Sequence, residues 1–292
     1  VVHVSTEVKQ KLGVVQTIPE DESSYLNIKP LIDFKFGGFT GAPKFPQFKL
    51  WQSILSNGIS QADQSLIDAT YLTATSLSFA GIYDHLDGGL FRYATDDKWN
   101  VPHFEKMLYD NTQFILLLSK YCKIDPDNYF KNKLSQTVEF LKKNFLNKEG
   151  FLGSAYDADS DGEEGKYYVY NYDEIKDIEN IEKYFEIKPE GNWEKKIILI
   201  EKKEPNEYII KRLLRIRSKR KKPFFDDKTQ LDLNCLWISA LVTASEVLPE
   251  KDYLNLAEDF FSKIEKKYIK DKIFHSYSKN IVFIEDYAFL IN

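Results

Sequence analysis

The sequence predicts an all-α chain of helical hairpins arranged in a ring, with short β-strands in the loops. Three observations carry this. Stretches with apolar residues at helical spacing fill most of the chain; strand signals are confined to KYYVYN (166–171) and KKIILIE (195–201). Three Gly-, Ser- or aromatic-rich loops, FKFGGFTGAPKFP, GFLGSAYDADSDG and IFHSYSKNIVFIEDYAF, each precede an acidic or amphipathic segment. Their spacing is too irregular for a solenoid with a strict period. It suits hairpins in a ring, whose loops gather on one face and build a single site.

The helices follow in order. SQADQSLIDATYLTATSLSFAG (60–81) has a capping-box start at Ser60 and Asp63, apolar contacts at Leu66, Ala69, Leu72 and Leu77, and a glycine stop at Gly81. A second helix runs from about Glu105 through MLYDNTQFILLLSKYC. A third opens with Asp125-Pro126, cap then first-turn proline, and carries Phe130, Leu134, Val138, Leu141 and Phe145 on one stripe. DEIKDIENIEKYF, EPNEYIIKRLLRIRSKR, TQLDLNCLWISALVTASEVL and EKDYLNLAEDFFSKIEKKYI read as later helices. The basic run over 200–222 reads as a solvated helix face. Residues 1–30 read as a linker and lead-in helix, and 31–292 as one helical domain.

Bulk properties exclude several classes. The net charge of -5 arises from 40 basic and 45 acidic residues, a mixed surface without the basic excess that nucleic-acid binding needs. Two cysteines, Cys122 and Cys235, lie in apolar helical stretches and make no disulfide scaffold, which points to a reducing interior. No apolar run approaches the ~18 residues of a membrane span, and VVHVSTEVKQ lacks the order of a signal peptide. A cytoplasmic protein is expected. The sole methionine is Met107 and the chain stops at EDYAFLIN in what reads as a first helical turn, so it is expected to be a fragment truncated at its C-terminus.

Chemistry is densest in GIYDHLDGGLFRYATDDKWNVPHFEKMLYDN (81–111), a long connector between two helices; such connectors are usually functional. Its aromatics beside carboxylates are what a polyhydroxylated ligand requires: C–H faces stack on rings, and hydroxyls need paired donors and acceptors. His103 precedes a helix start with Glu105 and Asp110 following, so its ring lies near carboxylates that can hold or tune its proton. His85 shares the loop, but two histidines without a third ligand do not argue for metal. No metal or cofactor is expected. The glycine pairs Gly37-Gly38 and Gly88-Gly89 lack a Gly-Lys-Ser/Thr continuation and read as turns.

Asp157, Asp159, Asp161 and Gly162 reproduce the opening of an EF-hand loop, yet Tyr168 stands where a bidentate Glu is required. The segment reads as a rim of the ligand face or as a plain acidic turn.

The runs GGFTGAPKFP, GIYDHLDGGLFRYATDDKWNVPHFEKMLYDN, YDADSDGEEGKYYVY, PFFDDK and EDYAF occur in the order and style of the family of bacterial YyaL-type proteins and animal spermatogenesis-associated protein 20, which this chain resembles from about Asp33 to Asn292. The resemblance implies the first part of an (α/α)6 toroid like that of six-hairpin glycosidases and N-acylglucosamine 2-epimerases, attached in the full-length protein to a thioredoxin-like domain that is absent here. The chain departs from the family pattern at Phe91, before Arg92, where a polar residue is usual, and at Leu233 and Cys235, which stand for Trp and Gly.

The expected function is that of a carbohydrate-active domain of epimerase, isomerase or glycosidase type; the alternative is a non-catalytic scaffold serving the thioredoxin-like domain. His103, Asp110, Asp157 and Asp159 are the candidate acid and base groups. Tyr83, Asp84, His85, Arg92, Tyr93, Trp99, Glu105, Tyr109, Asn111, Tyr156 and Glu164 are the candidate ligand-binding residues.

Overall fold

The computed structural model describes residues 28–125, 130–269, 273–276 and 281–291. The expected lead-in helix and the Pro126 helix start lie outside these residues.

Four helices form an inner row in which each packs on the next: α1 (Phe48–Ser60), α3 (Leu108–Ile124), α7 (Leu231–Ser245) and α9 (Ile284–Ile291). Three others back them as hairpin partners: α2 (Gln64–Phe79) on α1, α4 (Phe130–Asn144) on α3, and α8 (Tyr253–Tyr268) on α7. Burial explains the division. Leu108, Thr112, Phe114, Ile115, Leu118 and Cys122 bury α3 on nearly all sides, as a helix between two layers requires. By contrast, α4 buries one stripe built on Phe130, Leu134, Val138 and Leu141, as an outer helix does.

The sequence reading missed α1, although Phe48, Trp51, Ile54 and Leu55 give it a helical apolar face. Its cap hides it, because Gln47 is left-handed (φ 52°) and supplies no side-chain hydrogen bond. The expected capping box shifts by one role: Ser60 closes α1, and Asp63 itself caps α2 by accepting from the Ser65 N–H. Gly81 is needed for close approach, since a Cβ there would lie 2.1 Å from the Asn100 carbonyl oxygen.

The two expected strands are corrected. KYYVYN is a turn held by the Tyr168 and Val169 N–H groups on the Gly165 carbonyl, and it joins KKIILIE through the single bridge Tyr170–Ile197. Two-residue strands form elsewhere: β1 (Tyr93–Ala94) pairs with β2 (Pro102–His103), and β3 (Lys106–Met107), β4 (Ala155–Tyr156) and β7 (Phe225–Asp226) make a three-stranded antiparallel sheet in the order β3-β4-β7. A further hairpin joins β5 (Asp159–Ser160) to β6 (Glu163–Glu164). β3 leads directly into α3, and β7 lies just before α7. The sheet thus stitches together the loops at the N-terminal ends of inner helices.

Between the second and third hairpins lies a smaller core around Tyr170, Ile175, Phe185, Ile197 and Leu213, contributed by α5 (Tyr172–Ile175), a 3-10 turn at Ile181–Lys183 and α6 (Glu207–Arg217). The helix expected over 173–185 is therefore two short pieces. Helix α6 is not merely a solvated basic face, because it turns Ile209, Leu213 and Arg217 inward. Among the described residues no helix is long and apolar enough to cross a membrane.

Candidate functional site

Strand pairing sets Tyr93 opposite His103. Their rings stack with centroids 4.9 Å apart, and Phe45 stacks on the far side of Tyr93 at 4.7 Å. His103 is flanked by carboxylates: Nδ1 lies 2.7 Å from Glu164 Oε1, and Nε2 lies 3.3 Å from Glu105 Oε2. The same Glu105 oxygen accepts from Arg92 Nη1 at 2.7 Å. Arg92, Glu105, His103 and Glu164 form one charged chain, with the histidine side chain 26% exposed.

The acidic loop supplies Glu164 by folding as a hairpin. Asp161 and Gly162 take positive φ (52° and 73°), the geometry that a two-residue turn needs, so Asp159 and Glu164 face each other across the ladder. Only Glu164 reaches His103. Asp157 and Asp159 are exposed, and Asp157 Oδ1 accepts from the Asp159 N–H at 3.4 Å. The expectation that these two aspartates meet His103 and Asp110 is corrected: both side chains are exposed, and among the described residues neither bonds to His103 or Asp110.

Asp110 sits in the first turn of α3 and is buried, with Oδ2 lacking a hydrogen-bond partner among the described residues. Burial pushes its carboxyl up to about 8, against the opposing pull of the Arg92 charge. It borders a cavity of about 320 Å³ with Arg92, Tyr109, Gln113, Phe45 and Phe48. Tyr109 is half-buried beside Arg92, and its phenol is raised by that burial.

Five expected ligand-binding residues are core residues instead. Asp84 accepts from Lys106 Nζ (2.8 Å) and from Arg217 Nη1 (2.9 and 2.8 Å). Burial alone would raise its pKa, yet these two cations hold it far below the carboxylate range. His85 is enclosed, with Nδ1 3.0 Å from Glu201 Oε2 and Nε2 3.0 Å from the Ala80 carbonyl; burial and then the Lys133 charge lower its pKa. Tyr83 bonds Thr137 at 3.0 Å, and Trp99 donates to the Gly37 carbonyl at 3.2 Å. Asn111 clamps Leu90 by accepting its N–H (2.7 Å) and donating to its carbonyl (3.1 Å). Partly buried Tyr156 donates to the Asn144 carbonyl at 2.7 Å and stacks on Phe225. All six turn polar atoms toward protein partners: Asp84 and Tyr83 toward side chains, Trp99, Asn111 and Tyr156 toward backbone groups, and His85 toward both.

The larger opening was not anticipated. A cleft of about 810 Å³ is lined by Ser154, Asp226, Asp227, Gln230, His275 and Phe283, among others. At its wall His275 Nδ1 meets Asp286 Oδ1 at 2.8 Å, and Nε2 lies 3.2 Å from the Gln230 side-chain amide. Asp286 is fully buried. In the sequence His275 stands apart from the other histidines, and only the motifs PFFDDK and EDYAF hinted at this cleft.

The architecture is of the six-hairpin, (α/α)6 toroid type, as comparison with solved structures shows. A D-mannose isomerase superposes over 88% of this chain and 56% of its own, with a TM-score of 0.55 and 11% identity. A GH76 α-mannanase of Bacteroides thetaiotaomicron covers 84% of this chain and 53% of its own, with a TM-score of 0.50 and 13% identity. In sequence, the chain is similar to spermatogenesis-associated protein 20: the Homo sapiens protein is 33% identical over 159 residues, 50% of this chain. An uncharacterized protein of Caenorhabditis elegans is 26% identical across 92% of the chain. The chain spans 20% of the length of the human relative and 46% of the nematode one. No family model matches it.

Proposed function

We propose that the loop face binds a carbohydrate-like ligand and acts on it by acid/base chemistry, with Asp110 as proton donor. One observation carries this reading: a buried carboxyl with an unpartnered oxygen, pushed up to about 8, bordering a cavity shared with Arg92 and Tyr109. At neutral pH such a group holds its proton and can give it to a ligand oxygen. Glu105 and Glu164, held beside His103 and Arg92, supply the complementary acceptors, and the exposed Phe45 ring, stacked on Tyr93, suits a sugar's C–H face. Two solved toroids of this type, named as a D-mannose isomerase and an α-mannanase, make mannose and manno-oligosaccharides the first probes. Cys122 and Cys235, both buried and outside any disulfide, support a reducing, cytoplasmic setting.

A scaffold serving a thioredoxin-like domain is the second reading. It is favoured by the internal pairing of Asp84, His85, Lys106 and Arg217, in and around the segment richest in polar motif residues. Thermal shift against a sugar panel separates the two. A ligand at 100 times its Kd adds about 3 kcal/mol to the native state. Stabilisation that is lost in Arg92→Ala and Tyr93→Ala supports the proposal; no stabilisation by any sugar at millimolar concentration leaves the scaffold. With a substrate found, Asp110→Asn is expected to lower turnover about 10²-fold or more.

A further inference from the structure

Three separated stretches converge beside the large cleft. Gln230 and Asp232 flank the start of α7, His275 lies on the strap after α8, and Asp286 is in the first turn of α9. The strap is fixed to α7 by the Leu231 N–H, which donates to the His275 carbonyl at 2.8 Å.

Counting protons decides what His275 carries. Ser154 Oγ lies 2.7 Å from the Lys228 carbonyl, which can only accept, so its single hydroxyl proton is committed there. The Gln230 amide group 3.0 Å from Ser154 Oγ must then be the donor, the NH2 end. Rotating the amide to this orientation, a choice that the two similar ends leave open, turns its oxygen toward His275 Nε2 at 3.2 Å. Nε2 therefore carries hydrogen. On the other side of the ring, Nδ1 faces Asp286 Oδ1 at 2.8 Å and Asp232 Oδ1 at 3.9 Å. A bare nitrogen lone pair pointed at two carboxylates is repulsive, so a cation belongs between them.

A proton on Nδ1 would satisfy Asp286 alone. It would leave Asp232 Oδ1, buried and without a partner among the described residues, and a net negative charge. A divalent ion would engage all three atoms, which lie within 4.8 Å of one another, and would neutralise the pair of carboxylates. One imidazole nitrogen with two carboxylate oxygens suits Zn²⁺ or Mn²⁺. Gln230 would orient the imidazole from behind, the usual arrangement for a ligating histidine. We propose that Asp232, His275 and Asp286 bind one divalent transition-metal ion at the wall of the cleft.

The test is calorimetric titration of the chelator-treated, dialysed chain with ZnCl2 and with MnCl2. Saturable binding of one equivalent is expected, weakened about 100-fold or more by Asp232→Asn and by His275→Gln, and about 10- to 100-fold by Gln230→Ala. Should His275→Gln fail to fold by circular dichroism, Asp232→Asn decides, because its Oδ1 has no hydrogen bond to lose. Absence of saturable binding by either ion overturns the proposal. So does binding that is unchanged in Asp232→Asn, which would leave an imidazolium–carboxylate pair as the whole content of the cluster.

Discussion

Asp110→Asn separates the charge of this side chain from its shape. In the unfolded chain the carboxyl titrates near its ordinary value of 3.8, and in the folded protein burial holds it at about 8. Between pH 5 and 7 the folded state thus keeps a proton that the unfolded state has released, so stability falls as pH rises through this window. The slope is about 1.4 kcal/mol per pH unit, and two units give about 3 kcal/mol. Asparagine keeps the volume and cannot ionise, so the variant's stability relative to wild type should rise by about 3 kcal/mol between pH 5 and pH 7. Urea denaturation of both proteins at pH 5, 6 and 7, at fixed ionic strength, measures the difference by linear extrapolation. Other titrating groups are common to both proteins and cancel. A difference that stays constant across the window would mean that the folded carboxyl is already ionised, and Asp110 could not be the proton donor.

Asp84→Asn should cost about 3–5 kcal/mol in urea denaturation, because it leaves the buried Lys106 and Arg217 charges without their counter-ion; a loss under about 1 kcal/mol would show the site to be wet. Asn111→Ala should cost about 2 kcal/mol or more by stranding both backbone groups of Leu90, and unchanged stability would refute the clamp. The double variant Asp157→Asn, Asp159→Asn should stay within about 0.5 kcal/mol of wild type, and calcium should not move the melting temperature; a rise of several degrees would restore the ion cage.

Periodicity made the helical layers legible. The stripe of Phe130, Leu134 and Val138 and the buried run of α7 could be read directly, and the resemblance supplied the toroid that they belong to. Strands were misread because β-propensity reports how aromatic and β-branched side chains pack, and Tyr167, Tyr168 and Val169 find that packing buried inside a turn. In the site, His103, Glu105 and Arg92 were found because they share one connector, within fourteen residues of sequence. The inward orientation of Asp84 and His85 was invisible, since their partners Arg217 and Glu201 lie more than a hundred residues away. His275 was missed for a different reason: its meaning comes from Asp232 and Asp286, nearer in sequence but each carried by a different helix.

The Arg217–Asp84 pair also determines which parts of the loop face can move. Arg217 belongs to the smaller core and Asp84 to the loop before α3, and Lys133 and Glu201 bridge the same boundary at 2.6 Å. Swinging the smaller core away would strand buried charges on both sides. At about 3 kcal/mol or more for each broken pair, an opened state would hold about one molecule in 10⁴ or fewer. The smaller core is therefore a fixed wall rather than a hinged lid. Glu164, by contrast, contacts His103 from a side chain 41% exposed at the end of a two-stranded hairpin. Little desolvated charge opposes its release, so the acidic hairpin is the freer part of this face.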